Sequence, residues 1–115
     1  MQAISYLASM EAINEEQLRE AIIDVLKTIY DPEIPVNIYD LGLIYEVNVY
    51  PNFEAEIIMT LTSPNCPVAG TLPGEVEEKS KSVNGIKDVA VELVFDPAWN
   101  QDMMSEEAKL ELGFI

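Results

Sequence analysis

The chain contains no histidine and only one cysteine, Cys66, among its 115 residues. Without imidazole, Ser-His-Asp triads, Cys-His nucleophile pairs and imidazole-ligated metal sites are all excluded. One cysteine cannot form a disulfide within the chain, and a lone thiol suits a reducing cytosol better than a secreted scaffold. Basic residues are scarce too. Six Lys and Arg stand against 21 Asp and Glu, a net charge of −15 that repels phosphate backbones and argues against nucleic acid as a partner. No apolar run approaches the roughly 18 residues a membrane span requires. The first residues, Met1 to Asn14, carry no Lys or Arg, so no secretory leader is expected. These absences point to a soluble cytoplasmic protein without a membrane partner.

A chain of this length fits one domain, because it can bury roughly two-thirds of its unfolded surface and needs no staples. Asn14 is a good N-cap with Gln17 in the capping-box position, and Leu18, Ala21, Ile22, Val25, Leu26 and Ile29 form one apolar stripe. Asp31-Pro32 ends that helix, and the two prolines up to Pro35 make a loop that closes on the turn Asp40-Leu41-Gly42. Two alternating strands follow. The first runs over about Leu43 to Tyr50, with Leu43, Tyr45, Val47 and Val49 on one face; it turns at Pro51-Asn52 and returns through Phe53, Ala55, Ile57, Met59 and Leu61.

A second helix is expected within Val68 to Asn84. It starts either near Leu72, with Pro73 in its first turn, or at Pro67 with a kink one turn later. A third strand alternates Val89, Val91, Leu93 and Phe95, and Ser105 caps a short final helix that stops at Gly113. The order α-β-β-α-β-α, with half-polar strands, predicts a two-layer α+β domain: a small three-stranded sheet with helices packed on one face.

Cys66 sits in Thr60-Leu61-Thr62-Ser63-Pro64-Asn65-Cys66-Pro67, bracketed by prolines that disfavour a position inside a helix or strand. A helix starting at Pro67 would aim unpaired N–H groups and its positive dipole end at the sulfur and favour thiolate; a later start would not. The plain alternative is a small buried hydrophobe, the usual fate of free cysteine. Asp31 and Asp40 fit turn and capping roles as well as functional ones. Thr60 and Thr62 suit a strand end, yet their hydroxyls could bond a thiolate or ligand. Met103-Met104 reads as packing or a flexible contact surface, because adjacent thioethers do not converge on one ion. Trp99 either anchors a partner or closes the end of the core.

Five blocks, in order, carry a resemblance: Asp31-Pro32-Glu33-Ile34-Pro35-Val36-Asn37; Asp40-Leu41-Gly42-Leu43-Ile44-Tyr45; Met59 to Pro67; Asp96-Pro97 with Trp99; and Met103-Met104-Ser105-Glu106-Glu107-Ala108. Together they resemble the SufT/PaaD-like metal-sulfur cluster assembly factors. The match runs over residues 14–115 as a single domain and leaves 1–13 as an N-terminal extension. The resemblance implies a compact α+β domain that helps mature cytosolic iron-sulfur proteins, with Cys66 as the functional thiol and Asp40, Thr60, Thr62 and Asn65 around it. It also implies partners in the assembly machinery and among client apoproteins.

One thiolate per chain falls short of the four ligands usual for a stable cluster. Any iron or cluster is therefore expected to be transient and shared, across a homodimer or with a partner. The favoured reading is a non-enzymatic assembly or targeting factor. The rivals are a thiol enzyme or persulfide carrier using Cys66 as nucleophile, disfavoured by the missing base and resolving cysteine, and an adapter in which Cys66 is structural.

Overall fold

Helix α1 (Glu15–Leu26) begins at the cap read from the sequence: Asn14 Oδ1 accepts from the Gln17 N–H, and Gln17 Oε1 accepts from the Asn14 N–H. Glu15 and Glu16 occupy its first turn, where the helix dipole favours negative charge. Leu18, Ile22 and Leu26, four residues apart, are the buried stripe. Fully burying each such side chain is worth roughly 1.5–3 kcal/mol, against about 1 kcal/mol for a cap. The stripe therefore holds the helix in place and the cap fixes where it starts. The computed structural model describes residues 14–31, 34–62 and 71–114.

The sheet has the order β1-β2-β3, formed by Ile44–Val49, Glu54–Met59 and Asp88–Leu93. β1 and β2 are an antiparallel hairpin with Val47 opposite Ile57. Its loop is three residues long: the Phe53 N–H donates to the Tyr50 carbonyl, the Tyr50 N–H donates to the Glu54 carbonyl, and Phe53 takes φ +65°. Phe53 thus lies in the turn and stays 39% exposed, and Phe95 lies past the end of β3 and is 40% exposed, so neither extends the buried row the alternation suggested.

β2 and β3 pair in parallel, with Ile57 opposite Val91. Parallel neighbours need a crossover, and helix α2 (Leu72–Lys81) makes it. α2 takes the later of its two expected starts. Thr71 is its N-cap and Pro73 sits in the first turn, where a missing N–H costs nothing. Residues 63–70, with Asn65 and Cys66, are outside the described residues, and four residues of sequence separate Cys66 from that cap. In sequence, Cys66 therefore does not immediately precede the helix, as the early start required.

Ala55, Ile57, Met59, Val47 and Val89 form one side of the sheet and pack with Ile22, Leu26 and Val76 in a single core. By alternation, Glu54, Glu56, Ile58 and Glu92 occupy the other side, away from both helices. This is the expected two-layer α+β arrangement. The register differs at one place: Ile44 pairs with Met59 but Glu46 pairs with Ile58, so Tyr45 is the extra residue of a β-bulge. The bulge removes Tyr45 from the row of Val47 and Val49. Two residues further along the same strand, the Val47 carbonyl accepts from Arg19 Nε over 3.0 Å.

After β3 the chain turns through Asp96-Pro97, makes one 3-10 turn at Gln101–Met103, and ends in helix α3 (Glu106–Glu111), whose cap Ser105 accepts from the Ala108 N–H. Among the described residues no helix is long and apolar enough to cross a membrane.

Candidate functional site

Residues 37–42 form the turn that feeds β1. Asn37 Nδ2 donates to Asp40 Oδ2 over 2.8 Å while the Asp40 N–H donates to Asn37 Oδ1 over 2.9 Å, a reciprocal clasp that fixes the aspartate side chain. The Leu41 N–H donates to the Asn37 carbonyl and the Leu43 N–H to that of Ile38, so the turn is hydrogen-bonded at both ends. Gly42 follows at φ +88°, and a Cβ there would collide with the Met103 carbonyl, so glycine alone fits without main-chain movement.

The end of β2 reaches this turn. The Thr60 N–H donates to the Leu43 carbonyl over 2.8 Å, carrying the hairpin one rung past β1. Thr60 is wholly buried, and its Oγ1 stands 3.5 Å from the Leu61 carbonyl, a long bond that leaves the hydroxyl weakly held. Thr62 is half-buried and is the last residue described before Cys66. Of the residues singled out from sequence, then, Asp40 and Thr60 meet the same end of the hairpin, joined through Leu43. Asn65 and Cys66 lie outside the described residues. Asp31, the other aspartate of the loop, is buried and accepts from the Ile34 N–H over 3.2 Å, a turn-forming role.

Beside the turn, on the side of the sheet away from α1 and α2, opens a cleft of about 720 Å³. Asp40, Gly42, Ile44 and Ile58 line it with the bulge residues Tyr45 and Glu46. The segment after β3 supplies the far wall through Val94, Asp96, Pro97, Met103 and Ser105. That wall is bonded in place: the Tyr45 hydroxyl donates to the Pro97 carbonyl over 2.7 Å and lies 3.6 Å from Met103 sulfur, and the Ser105 N–H donates to the Asp40 carbonyl over 2.8 Å. Thr60 and Thr62 do not line the cleft.

Sequence reasoning missed Tyr45, Glu46 and Ile58 because a strand pattern shows which residues alternate but not where a bulge redirects one. Trp99 is half-buried. Its indole N–H donates to the Leu41 carbonyl over 2.7 Å, and it borders a second groove of about 330 Å³ with Pro35, Met104 and Leu112. It thus closes the end of the core, one of the two roles read for it.

Among the described residues no three His, Cys, Asp or Glu side chains stand close enough to hold a metal ion. Among the described residues two ionisable groups are shifted. The Tyr50 hydroxyl donates to Glu56 over 2.9 Å, and the carboxylate holding that proton raises the phenol above its usual value. The Val89 N–H, donating to Asp88 over 2.9 Å, lowers that carboxyl, helped by Lys81 nearby.

A family model described as iron-sulfur cluster assembly protein matches residues 19–93. The chain is 56% identical over 99 residues to the Fe-S protein maturation auxiliary factor of Porphyromonas gingivalis, spanning 86% of this chain and 94% of the relative. It is 40% identical over 99 residues to the Fe-S protein maturation auxiliary factor YitW of Bacillus subtilis, spanning 86% and 97%. Among solved structures, a domain of unknown function from Bacillus anthracis superposes with a TM-score of 0.82 at 34% identity, covering 88% of this chain and 96% of that one.

Proposed function

This chain belongs to the iron-sulfur cluster assembly protein family, and from that premise we propose that it assists the maturation of iron-sulfur proteins as a non-enzymatic assembly or targeting factor in the cytoplasm. Cys66 is the transient ligand of iron or of a cluster in transit. Asp40, Thr60, Thr62 and Asn65 form its surroundings, and residues 14–115 are the working domain, with 1–13 an extension. Two relatives named as Fe-S protein maturation auxiliary factors support the general role.

The observation that carries the assignment of the site is the bond from the Thr60 N–H to the Leu43 carbonyl. It ties the strand that leads through Thr62 toward Cys66 to the turn that displays Asp40. A carboxylate and two hydroxyls are thus attached to one end of the hairpin, and the sequence runs on from Thr62 to Cys66 four positions later. One thiolate and no imidazole per chain do not match the four ligands of a resident cluster, so the cluster is cargo, held jointly with a second copy or with a partner of the assembly machinery or a client apoprotein.

Deleting the chain should lower the activity of cytosolic cluster enzymes while their polypeptide levels hold and cluster-free enzymes are spared. The wild-type chain should restore them. Cys66→Ser should not, because serine keeps the size but offers a hydroxyl that stays protonated and binds iron poorly. Full rescue by Cys66→Ser would refute the thiol's role and leave an adapter; catalytic turnover of a persulfide by the purified chain would instead make it a thiol enzyme.

A further inference from the structure

The cleft beside the Asp40 turn lies on the side of the sheet away from α1 and α2, and the charge of its lining is one-sided. Ile58, Val94 and Pro97 give it an apolar centre, while the charged groups lining it, Asp40, Glu46 and Asp96, are all carboxylates. Glu56 and Glu92 continue the same side of the sheet on β2 and β3. The ion pairs among the described residues are made elsewhere: Arg19 with Glu16, Lys79 with Glu75, and Lys81 with Glu77 and Asp88. Lys27 lies over the ring of Tyr39, which also lines the cleft, so this cation stands at the cleft's border and is engaged by the ring. In a chain of net charge −15, this face carries like charge around half-buried Ile58 and Val94 and exposed Pro97.

Both features favour the same kind of partner. An apolar side chain laid on Ile58 would remove apolar surface from water, and cations beside it would offset the repulsion among the carboxylates. An extended peptide places residues i and i+2 on one face about 7 Å apart, so it can set an apolar side chain between two basic ones. We propose that this cleft docks an extended basic segment of a partner protein, with an aliphatic side chain over Ile58 and Lys or Arg side chains at Glu46 and Asp96. The proposal goes beyond the maturation role and does not rest on the thiol.

The test is a titration of the isotope-labelled full chain, followed by nuclear magnetic resonance, with the acetylated and amidated pentapeptide Arg-Gly-Leu-Gly-Arg. Expected are saturable shifts confined to Glu46, Ile58, Val94, Asp96 and their neighbours, weakened by salt, with none from Glu-Gly-Leu-Gly-Glu. Reversing both charges, Glu46→Lys with Asp96→Lys, should weaken binding by about tenfold or more. Both positions are exposed, so the fold should survive; if the reversed chain melts lower, Glu46→Gln with Asp96→Asn carries the same test. Cys66→Ser should bind as the wild type does, which separates this outcome from that of the maturation role. Absence of binding, shifts spread evenly over the acidic surface, equal binding of the glutamate peptide, or full binding by the charge variants would each overturn the proposal.

Discussion

The indole N–H of Trp99 donates to the main-chain carbonyl of Leu41 across 2.7 Å, joining positions 58 residues apart. The bond pins the segment after β3 to the turn that precedes β1, and so holds the far wall of the cleft against the near one. Trp99→Phe keeps an aromatic ring but deletes the donor, leaving the carbonyl without its partner. Stability should fall by about 1 kcal/mol, read as a lower urea midpoint with an unchanged slope. An unmoved midpoint would show that water replaces the indole at no cost.

Gly42→Ala should cost more. The left-handed backbone alone carries a penalty of about 1 kcal/mol or more for a residue with a side chain, and the new methyl would also strike the Met103 carbonyl. Gly113→Ala is the internal control, because that glycine has φ +82° but open space around its Cβ position. The excess loss at Gly42 over Gly113, measured by chemical denaturation, reports the close approach of the two segments; equal losses would mean the chain relaxes around it.

Ser80 offers the opposite sign. It is wholly buried in α2, and its hydroxyl has no hydrogen-bond partner among the described residues. An unmatched buried hydroxyl costs about 1–3 kcal/mol, and alanine is also the better helix former. Ser80→Ala should therefore raise the melting temperature. A drop would show that the hydroxyl is satisfied after all.

The Tyr50–Glu56 pair predicts a pH response. The phenol's folded pKa is raised above 10.0, first by its hydrogen bond to Glu56, then by partial desolvation and by the charges of Glu56 and Glu46. A raised folded pKa means the neutral form is favoured by folding, so the pair's contribution is fully present below the unfolded value and is lost as pH rises through the folded one. Tyrosinate absorbance should show a late component from Tyr50 that returns toward 10.0 in Glu56→Gln. If its titration is the same in both proteins, the hydrogen bond does not hold the proton.

Much of this architecture is legible in the sequence, and the gaps have physical causes. α1 is readable because its cap and its stripe are both local signals, set within four residues of one another. The hairpin is readable from its alternation, yet the bulge at Tyr45 is not, because an extra residue leaves the pattern of side-chain types intact while shifting its phase. Whether β3 runs parallel or antiparallel to β2 depends on how α2 crosses, a matter of packing between elements. Pro73 marks the start of α2 from sequence only once the alternative start at Pro67 is set aside. Asp40 is legible as a turn residue, and the clasp with Asn37 shows why. The cleft is not legible, since its walls meet only through contacts such as Tyr45 with Pro97, 52 residues apart.

The mixed sheet also sets a timetable for folding. Val49 and its partner Ala55 are six positions apart, whereas Ala55 and its other neighbour Val89 are separated by thirty-four. Closing the shorter loop loses less entropy, so the hairpin can form while the parallel strand is still absent. In that interval the second edge of β2 is unpaired, and an open edge is a template for joining another chain. The acidic residues Glu54 and Glu56, spaced along that strand, keep two such half-built sheets apart by charge until α2 brings β3 across.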